Sequence, residues 1–394
     1  MLMTRTKTIL SCVAGVLALI AAAQAVVPAA PAAPARLALG LPLPEKEFSV
    51  SSLAFSAGSE RICIAGTDYD EMGKSTARVL LIDRATQAVA WQRTVAVPAD
   101  LATLVPVQCL VGKDRVVLLA NADTSLSPPQ ARTQTHVFAF DMHGKQTAAR
   151  RLEIAGMERQ GYKSEYGYTL GEAADGLRVA GYTRDQDGKA ERYATYTMLL
   201  DAALAPRGLP VVRKNGAYTY PFIARIVGDS LYLAGRFFKA SVTTNDLGSF
   251  SASRLNVAGG YVWSTPTAFT ERMHVRVAIA DDGTAYALGY EDGTTTLTVV
   301  TRDGKAQTPV AYASAYCRTN AMARHDGGIV AIRTPCAGKG KALVWIDVKT
   351  GKERQLKLVP GEPLYVESKG PALAVVARGK DGKLYLYSMA AGAL

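Results

Sequence analysis

The chain has 394 residues, 48% of them hydrophobic and 20% charged, with a formal charge of +11. That balance suits a packed core and excludes a disordered or fibrous chain. The basic residues are scattered, with no run of five or more and no basic–aromatic cluster. Nucleic acid is therefore not an expected partner; the charge reads as a solvated basic surface or as one suited to anionic envelope polymers or lipids.

At the N-terminus, Arg5 and Lys7 precede an apolar run from Ile9 to about Ala23, closed by Ala23-Gln24-Ala25. A charged start, an apolar middle and a small-x-small close form the layout of a secretory signal peptide. Residues 1–25 are expected to be removed near Ala25, leaving a periplasmic or secreted protein. The apolar character drifts on to Ala30, so an uncleaved anchor is the alternative. Losing two bases and no acid would leave a charge of +9. Almost no apolar run precedes Cys12, which argues against lipidation there. No later segment reaches the roughly 20 apolar residues of a membrane span. Residues 26–34 read as a Pro/Ala linker, and 35–394 as a single domain.

From residue 35 onward, helical periodicity is almost absent. Short runs rich in Val, Leu, Tyr and Thr alternate with Gly/Asp/Asn turns, which are strand signals. Stacked, they give seven copies of one unit. Each opens with two strands joined by a tight turn, as in "YGYTLGEAADGLRVAGYT" and "YPFIARIVGDSLYLAGRF". A third strand follows, ending at Asp83, Asp141, Asp201, Asn256, Asp303 or Asp347, and a Gly/Lys/Thr-rich turn leads to a fourth. Aligning the second strands at Gly66, Asn121, Gly181, Gly235, Gly289, Arg333 and Arg378 gives spacings of 55, 60, 54, 54, 44 and 45. A 40–60-residue period of four strands predicts an all-β, seven-bladed β-propeller of antiparallel blades. The seventh unit lacks a fourth strand, while an orphan strand, residues 35–44, precedes the first. The orphan is expected to complete blade seven and close the ring, or else to cover one side of it.

Four cysteines remain beyond Cys12, an even number that suggests two disulfides in an exported chain. If Asp326-Gly327 form a two-residue hairpin loop, Cys317 and Cys336 lie opposite each other and pair. Cys63 in blade one and Cys109 in blade two either bridge neighbouring blades or remain buried thiols.

In a propeller, the first-to-second and third-to-fourth strand connections share one face. Here those are short, and the long ones lie on the opposite face: 67–77, 122–134, 155–168, 182–194 and 236–249. Long loops on a rigid scaffold carry binding, or are loops that have drifted. Those of blades two to four carry Tyr162, Tyr166, Tyr168, Tyr182, Tyr193, Tyr218, Tyr220, Phe237 and Phe238, with Arg184, Arg236 and Lys239 among them. Such residues suit a partner surface or a sugar-stacking platform, or pack on one another as small satellite cores. Tyr220, His274, Arg276, Tyr316, Arg318 and Tyr365 are expected around the channel mouth where the inner strands begin.

Linear motifs of catalysis are lacking. "AGTDYDEMGKST" misplaces the first glycine of a phosphate loop and runs into a strand. "DQDGK" and "DYDE" lack the downstream glutamate of a calcium loop. His143 and His325 are expected in solvated turns on the short-loop face, and His274 alone at a plausible site. No metal site is expected.

"IDRATQAVAW" has a D-x-x-T from Asp83 with Trp91 eight residues on, and "IDVKTGKERQ" has D-x-x-T-G-K from Asp347. Both resemble the repeat of quinoprotein-like (PQQ-type) propellers, and the "DG-x-x-x-x-AG" element is similar to other bacterial repeat propellers of the WD40 and YVTN kind. In the quinoprotein-like repeat the Asp and Thr-Gly shape a turn and the Trp packs between blades. Gln87 replaces the first Gly here, and Gln355 the second Trp. Quinone-binding members use an adjacent cysteine pair and calcium ligands; this chain has no such pair, so no cofactor is expected. The expected function is a monomeric interaction module binding a protein or polysaccharide of the cell envelope through its long-loop face. The alternatives are a hydrolase or lyase acting on an envelope saccharide or peptide, with His274, Tyr220, Arg276 and Arg318 at the channel mouth, and an envelope-assembly scaffold.

Overall fold

The computed structural model describes residues 35–38 and 48–389, apart from 73, 127–131, 155–161, 175, 187–190, 215–217, 239–248, 257, 268 and 270–273. The expected signal peptide and linker lie outside the described residues. The strands begin with β1 (Ala35–Ala38). Blade one is β2 (Ser49–Phe55), β3 (Arg61–Tyr69), β4 (Ser75–Asp83) and β5 (Ala88–Val95). Blade two is β6 (Val105–Val111), β7 (Arg115–Asp123), β8 (Thr133–Asp141) and β9 (Gln146–Leu152). Blade three is β10 (Tyr162–Ala173), β11 (Gly176–Gln186), β12 (Glu191–Leu200) and β13 (Val211–Lys214). Blade four is β14 (Tyr218–Val227), β15 (Ser230–Phe238), β16 (Ser249–Leu255) and β17 (Tyr261–Pro266). Blade five is β18 (Arg276–Ile279), β19 (Ala285–Glu291), β20 (Thr294–Val300) and β21 (Val310–Ala313). Blade six is β22 (Tyr316–His325), β23 (Gly328–Pro335), β24 (Ala342–Asp347) and β25 (Glu353–Gln355), and blade seven contributes β26 (Glu362–Lys369), β27 (Ala372–Arg378) and β28 (Leu384–Met389).

Each blade is a four-stranded antiparallel sheet, and the seven form a β-propeller. The orphan strand does complete blade seven: β1 pairs with β28, Ala35 opposite Ser388 and Ala38 opposite Tyr385. Of the ten residues expected in it (35–44), 39–44 lie outside the described residues. Arg36 lies over the Tyr385 ring at 3.7 Å, so a cation–π contact supports the join. Among the described residues no helix is long and apolar enough to cross a membrane.

A single blade cannot bury its two faces, so the core divides into seven clusters, one for each seam between neighbours. The Cys63–Cys109 disulfide crosses the seam between blades one and two, and Cys317–Cys336 closes the end of blade six. Asp326 (φ 41°) and Gly327 (φ 74°) form the expected two-residue turn, whose left-handed residues match strand twist. The expected register holds from His325–Gly328 to Ala321–Ile332, then two bulges in β22 shift it. Cys317 therefore sits in a bulge rather than opposite Cys336, and its partner follows the Tyr316–Pro335 pair.

Bulges recur at the same point of β2, β6, β10, β14, β22 and β26. The neighbouring strand answers with a small residue before each: Gly66, Ala120, Gly181, Gly235 and Ala377. In blades two and seven this position is one residue earlier than the sequence alignment placed it. A Cβ on Gly181 would collide with the Tyr166 carbonyl and the Tyr196 hydroxyl. Blade six breaks the rule with Arg333, which is fully buried. Its guanidinium pairs with Glu353 and donates to Thr295 Oγ1 (2.9 Å), Ser314 Oγ (3.1 Å) and the Tyr316 carbonyl (3.0 Å), clamping blade six to blade five.

The outer turns carry a second recurring device. Each of six places one left-handed residue three or four positions after its leading Asp, Asn or Thr: Gln87, Gly144, Leu204, Gly259, Gly304 and Gly351. The expected interblade tryptophan is observed. Trp91 lies on Gly144 of the next blade and donates Nε1–H to the Met142 carbonyl (3.1 Å), and Trp263 does the same with Gly304 and the Arg302 carbonyl (3.2 Å). Tyr312 packs on Gly351. Gln87 holds φ 51° without a glycine, at a cost of about 1 kcal/mol. Gln87→Gly is expected to raise unfolding free energy by about 0.5–1 kcal/mol in urea denaturation. Glu353→Gln, which strands the Arg333 charge, is expected to lower it by about 3 kcal/mol.

Candidate functional site

The faces differ in part as the sequence indicates. On one, β14 and β15, β22 and β23, and β26 and β27 are joined by only two residues each, but the third-to-fourth connections there are not all short: ten residues separate β12 from β13 and nine separate β20 from β21. On the other, ten residues separate β15 from β16, and nine separate β7 from β8, β9 from β10, and β17 from β18. These long connections belong to the first four blades. Blade five has the opposite: Asp292 (φ 46°) and Gly293 (φ 85°) make a two-residue turn on this same face.

Of the residues singled out there, Tyr166 and Tyr182 are directly paired across β10 and β11. Their rings stack at 4.7 Å, and Tyr168, displaced by the bulge, stacks on Tyr182 at 4.9 Å. Tyr182 is 4% exposed, so this column is internally packed, with Tyr166 and Tyr168 at its half-buried edges. The side chains of Tyr162, Arg184, Tyr193, Tyr218, Tyr220, Arg236, Phe237 and Phe238 lie outside the described portion, as does Lys239. His274, Arg276 and Arg318 are exposed, while Tyr316 lies half-buried under the Arg333 guanidinium.

A cavity of about 510 Å³ lies on the ring axis, lined by residues from all seven blades. It runs from the bulges to the two-residue turns, and so reaches the short-loop face rather than the mouth where the inner strands begin. Among the described residues, Tyr365 alone of the expected mouth residues lines it. Leu53, Ile223, Ile279 and Met322 give it an apolar wall. Its polar groups are ones that sequence reasoning passed over: Arg225 of β14, Asp281 after β18, and Glu367 of β26. Arg225 pairs with Asp281 and donates to the Ile279 carbonyl (2.7 Å), joining blades four and five. Among the described residues Glu367 accepts one long hydrogen bond, from the Ser368 amide (3.3 Å). Burial pushes its carboxyl up to about 7, partly offset by Arg225 and reinforced by Asp281. Burial likewise raises the Tyr365 phenol, and Glu367 adds to the effect.

His325 is not in a solvated turn. It is 2% exposed at the end of β22, lines the cavity, and its Nδ1 makes no hydrogen bond. Burial lowers its pKa, which leaves the ring neutral near pH 7. His143, by contrast, is exposed in the turn after β8. The recognisable signal for the cavity was a charge inside an otherwise apolar inner strand: "FIARIV" and "LYVES".

No family model matches the chain, and no curated protein does. Solved structures match the fold. A puromycin-hydrolyzing peptidase from Mycobacterium tuberculosis aligns at TM-score 0.56 and 13% identity over 90% of this chain and 54% of that one. An acylaminoacyl peptidase from Pyrococcus horikoshii aligns at 0.48 and 10%, over 85% and 49%, and TolB from Acinetobacter baumannii at 0.37 and 11%, over 85% and 82%. The chain thus spans about half the length of either peptidase, and the likeness is one of fold.

The titration of Glu367 gives a testable pH dependence. Its folded pKa of about 7 lies above the ordinary 4.5. The neutral carboxyl therefore favours the fold fully below 4.5, and that contribution is lost as pH rises through 7. The wild type is expected to lose stability between about pH 5 and 8 relative to Glu367→Gln, measured by urea denaturation across that range.

Proposed function

We propose that this protein is an exported interaction module that engages a protein or polysaccharide of the cell envelope through its long-loop face. The observation that carries the reading is the asymmetry of the connections. On one face the first-to-second strand hairpins are closed by two to five residues, although ten residues separate β12 from β13 and nine separate β20 from β21 there, while nine- and ten-residue connections recur across blades one to four on the other. Rigid rings with long loops on one side present broad, adaptable surfaces. Export accords with two disulfides, which persist in oxidising compartments. On this reading residues 1–25 are a signal peptide, 26–34 a linker and 35–394 the propeller, acting as a monomer without a cofactor. The Asp–Thr turns and docked tryptophans make a quinoprotein-like ancestry of the repeat the accompanying proposal. The peptidase activity of the matched structure belongs to that longer protein and is not carried over.

The test is affinity capture from envelope extract with three baits: wild type, Tyr166→Ala/Tyr220→Ala/Arg236→Ala, and Asp114→Lys/Asp229→Lys on the short-loop face. A partner retained by the wild type and the short-loop variant but lost from the triple variant is expected. Equal recovery by all three baits would overturn the assignment.

A further inference from the structure

The axial cavity has features that a merely structural channel does not need. Its volume of about 510 Å³ is that of small-molecule sites, and it combines an apolar wall with a few convergent polar groups. The charges at the cavity run against those of the whole protein. The chain carries +11, yet the lining holds four carboxyls, Glu367, Asp281, Asp282 and Asp326, against three bases, Arg225, Arg324 and Lys369.

Those bases are largely occupied. Arg225 is spent on Asp281 and the Ile279 carbonyl. Arg324 donates to the Tyr286 hydroxyl (3.1 Å) and the Gly328 carbonyl (2.7 Å). Lys369 sits at the outer rim beside Gly370, on the same strand as Glu367. Among the acids, Asp282 already accepts from the Thr284 amide (2.8 Å) and Asp326 is exposed in its turn. Among the described acids of the lining, Glu367 is half-buried, faces the cavity from the inner strand and is hydrogen-bonded to no base. The other titratable groups around the cavity, Tyr168, Tyr286, Tyr365 and His325, bring no positive charge near neutral pH, since burial keeps His325 neutral. A half-buried cavity carboxyl whose one compensating base, Arg225, is already paired with Asp281, beside an apolar wall and a histidine nitrogen lacking a hydrogen-bond partner, has room for a further cation.

We propose that the axial cavity binds a small organic cation, a primary ammonium group on an apolar body, with Glu367 as the carboxylate that receives the ammonium and Leu53, Ile223, Ile279 and Met322 as the wall for the body. The acidic turns at the rim draw the cation in, and the neutral His325 ring offers it a further acceptor. Binding requires the ionised carboxyl, so each cation bound at low pH releases a proton from Glu367. The site lies on the opposite face from the long loops and does not depend on a partner binding there.

The experiment is isothermal titration calorimetry of the full-length protein with 2-phenylethylammonium chloride, and with 2-phenylethanol as its neutral counterpart, at pH 6 and pH 8. The titrations are run in two buffers of different ionisation enthalpy. With a carboxyl titrating near 7, affinity for the ammonium is expected to rise about tenfold from pH 6 to pH 8, with about 0.9 proton released at pH 6 and about 0.1 at pH 8. Glu367→Gln is expected to weaken binding at pH 8 by about tenfold or more and to abolish proton release, its fold checked by circular dichroism and Tm. Proton release by the wild type remains decisive if that variant does not fold. Absence of ammonium binding at millimolar concentration, equal affinity for the alcohol, pH-independent affinity, or full binding by a folded Glu367→Gln would each overturn the proposal. Retention of the envelope partner by Glu367→Gln would leave the long-loop reading standing whichever way the cavity result falls.

Discussion

The structure depends on the crowding of seven inner strands around one axis. A strand that merely paired with its neighbour would carry its side chains straight into the six others. The ring relieves this with an extra residue in the inner strand at a fixed height, which bends the strand and increases its twist. The bulge brings the two backbones of the hairpin together, so the facing residue must be small. That is why Gly66, Ala120, Gly181, Gly235 and Ala377 recur, and why the "AG" of the repeat marks the bulge rather than the strand's end. The same bend leaves a void on the axis below it, which is the cavity. Repeat, bulge and cavity are three consequences of one steric problem.

Where the repeat departs from its own rule, the departures bind blades together. Arg333 occupies a small-residue position, and its buried charge is matched by Glu353 and three oxygen acceptors from blades five and six. Asn121 of blade two clasps the bulge of blade three, accepting from the Gly167 amide (2.8 Å) and donating to its carbonyl (3.2 Å). Gln87 keeps the left-handed conformation of the glycine it replaces. Sequence identity among the blades can therefore erode while the geometry persists, because packing across the seams fixes the backbone that each turn must adopt.

The fold was legible because its signals are local. Alternation, turn residues and a 44–60-residue period survive even in eroded copies, and the unpaired last strand made the closure by β1 readable from counting alone. Local reading failed where geometry accumulates. The Cys317–Cys336 bond was inferred from a register that two bulges then displaced, and it forms because the displaced strands still end close together. The cavity was legible only in part. Arg225 and Asp281 are 56 residues apart and meet because blades four and five adjoin. Nothing in either segment specifies the other. His325 looked solvated because it precedes a turn, yet that turn folds over the axis, where a residue at the strand's end faces its counterparts from other blades.

The two faces place different demands on recognition. Two-residue turns with left-handed Gly or Asp have few conformations to lose, so the groups they hold around the axis are set before anything binds. The nine- and ten-residue connections carry more side chains, and each one immobilised on binding costs about 0.5–1.5 kcal/mol. A preformed enclosed site suits a small molecule, whose few contacts cannot offset much ordering. A large adaptable face suits a macromolecule, whose many contacts can. Both follow from the order of connections in an antiparallel blade, in which the first-to-second hairpins surround the axis on one face and the links between blades lie on the other.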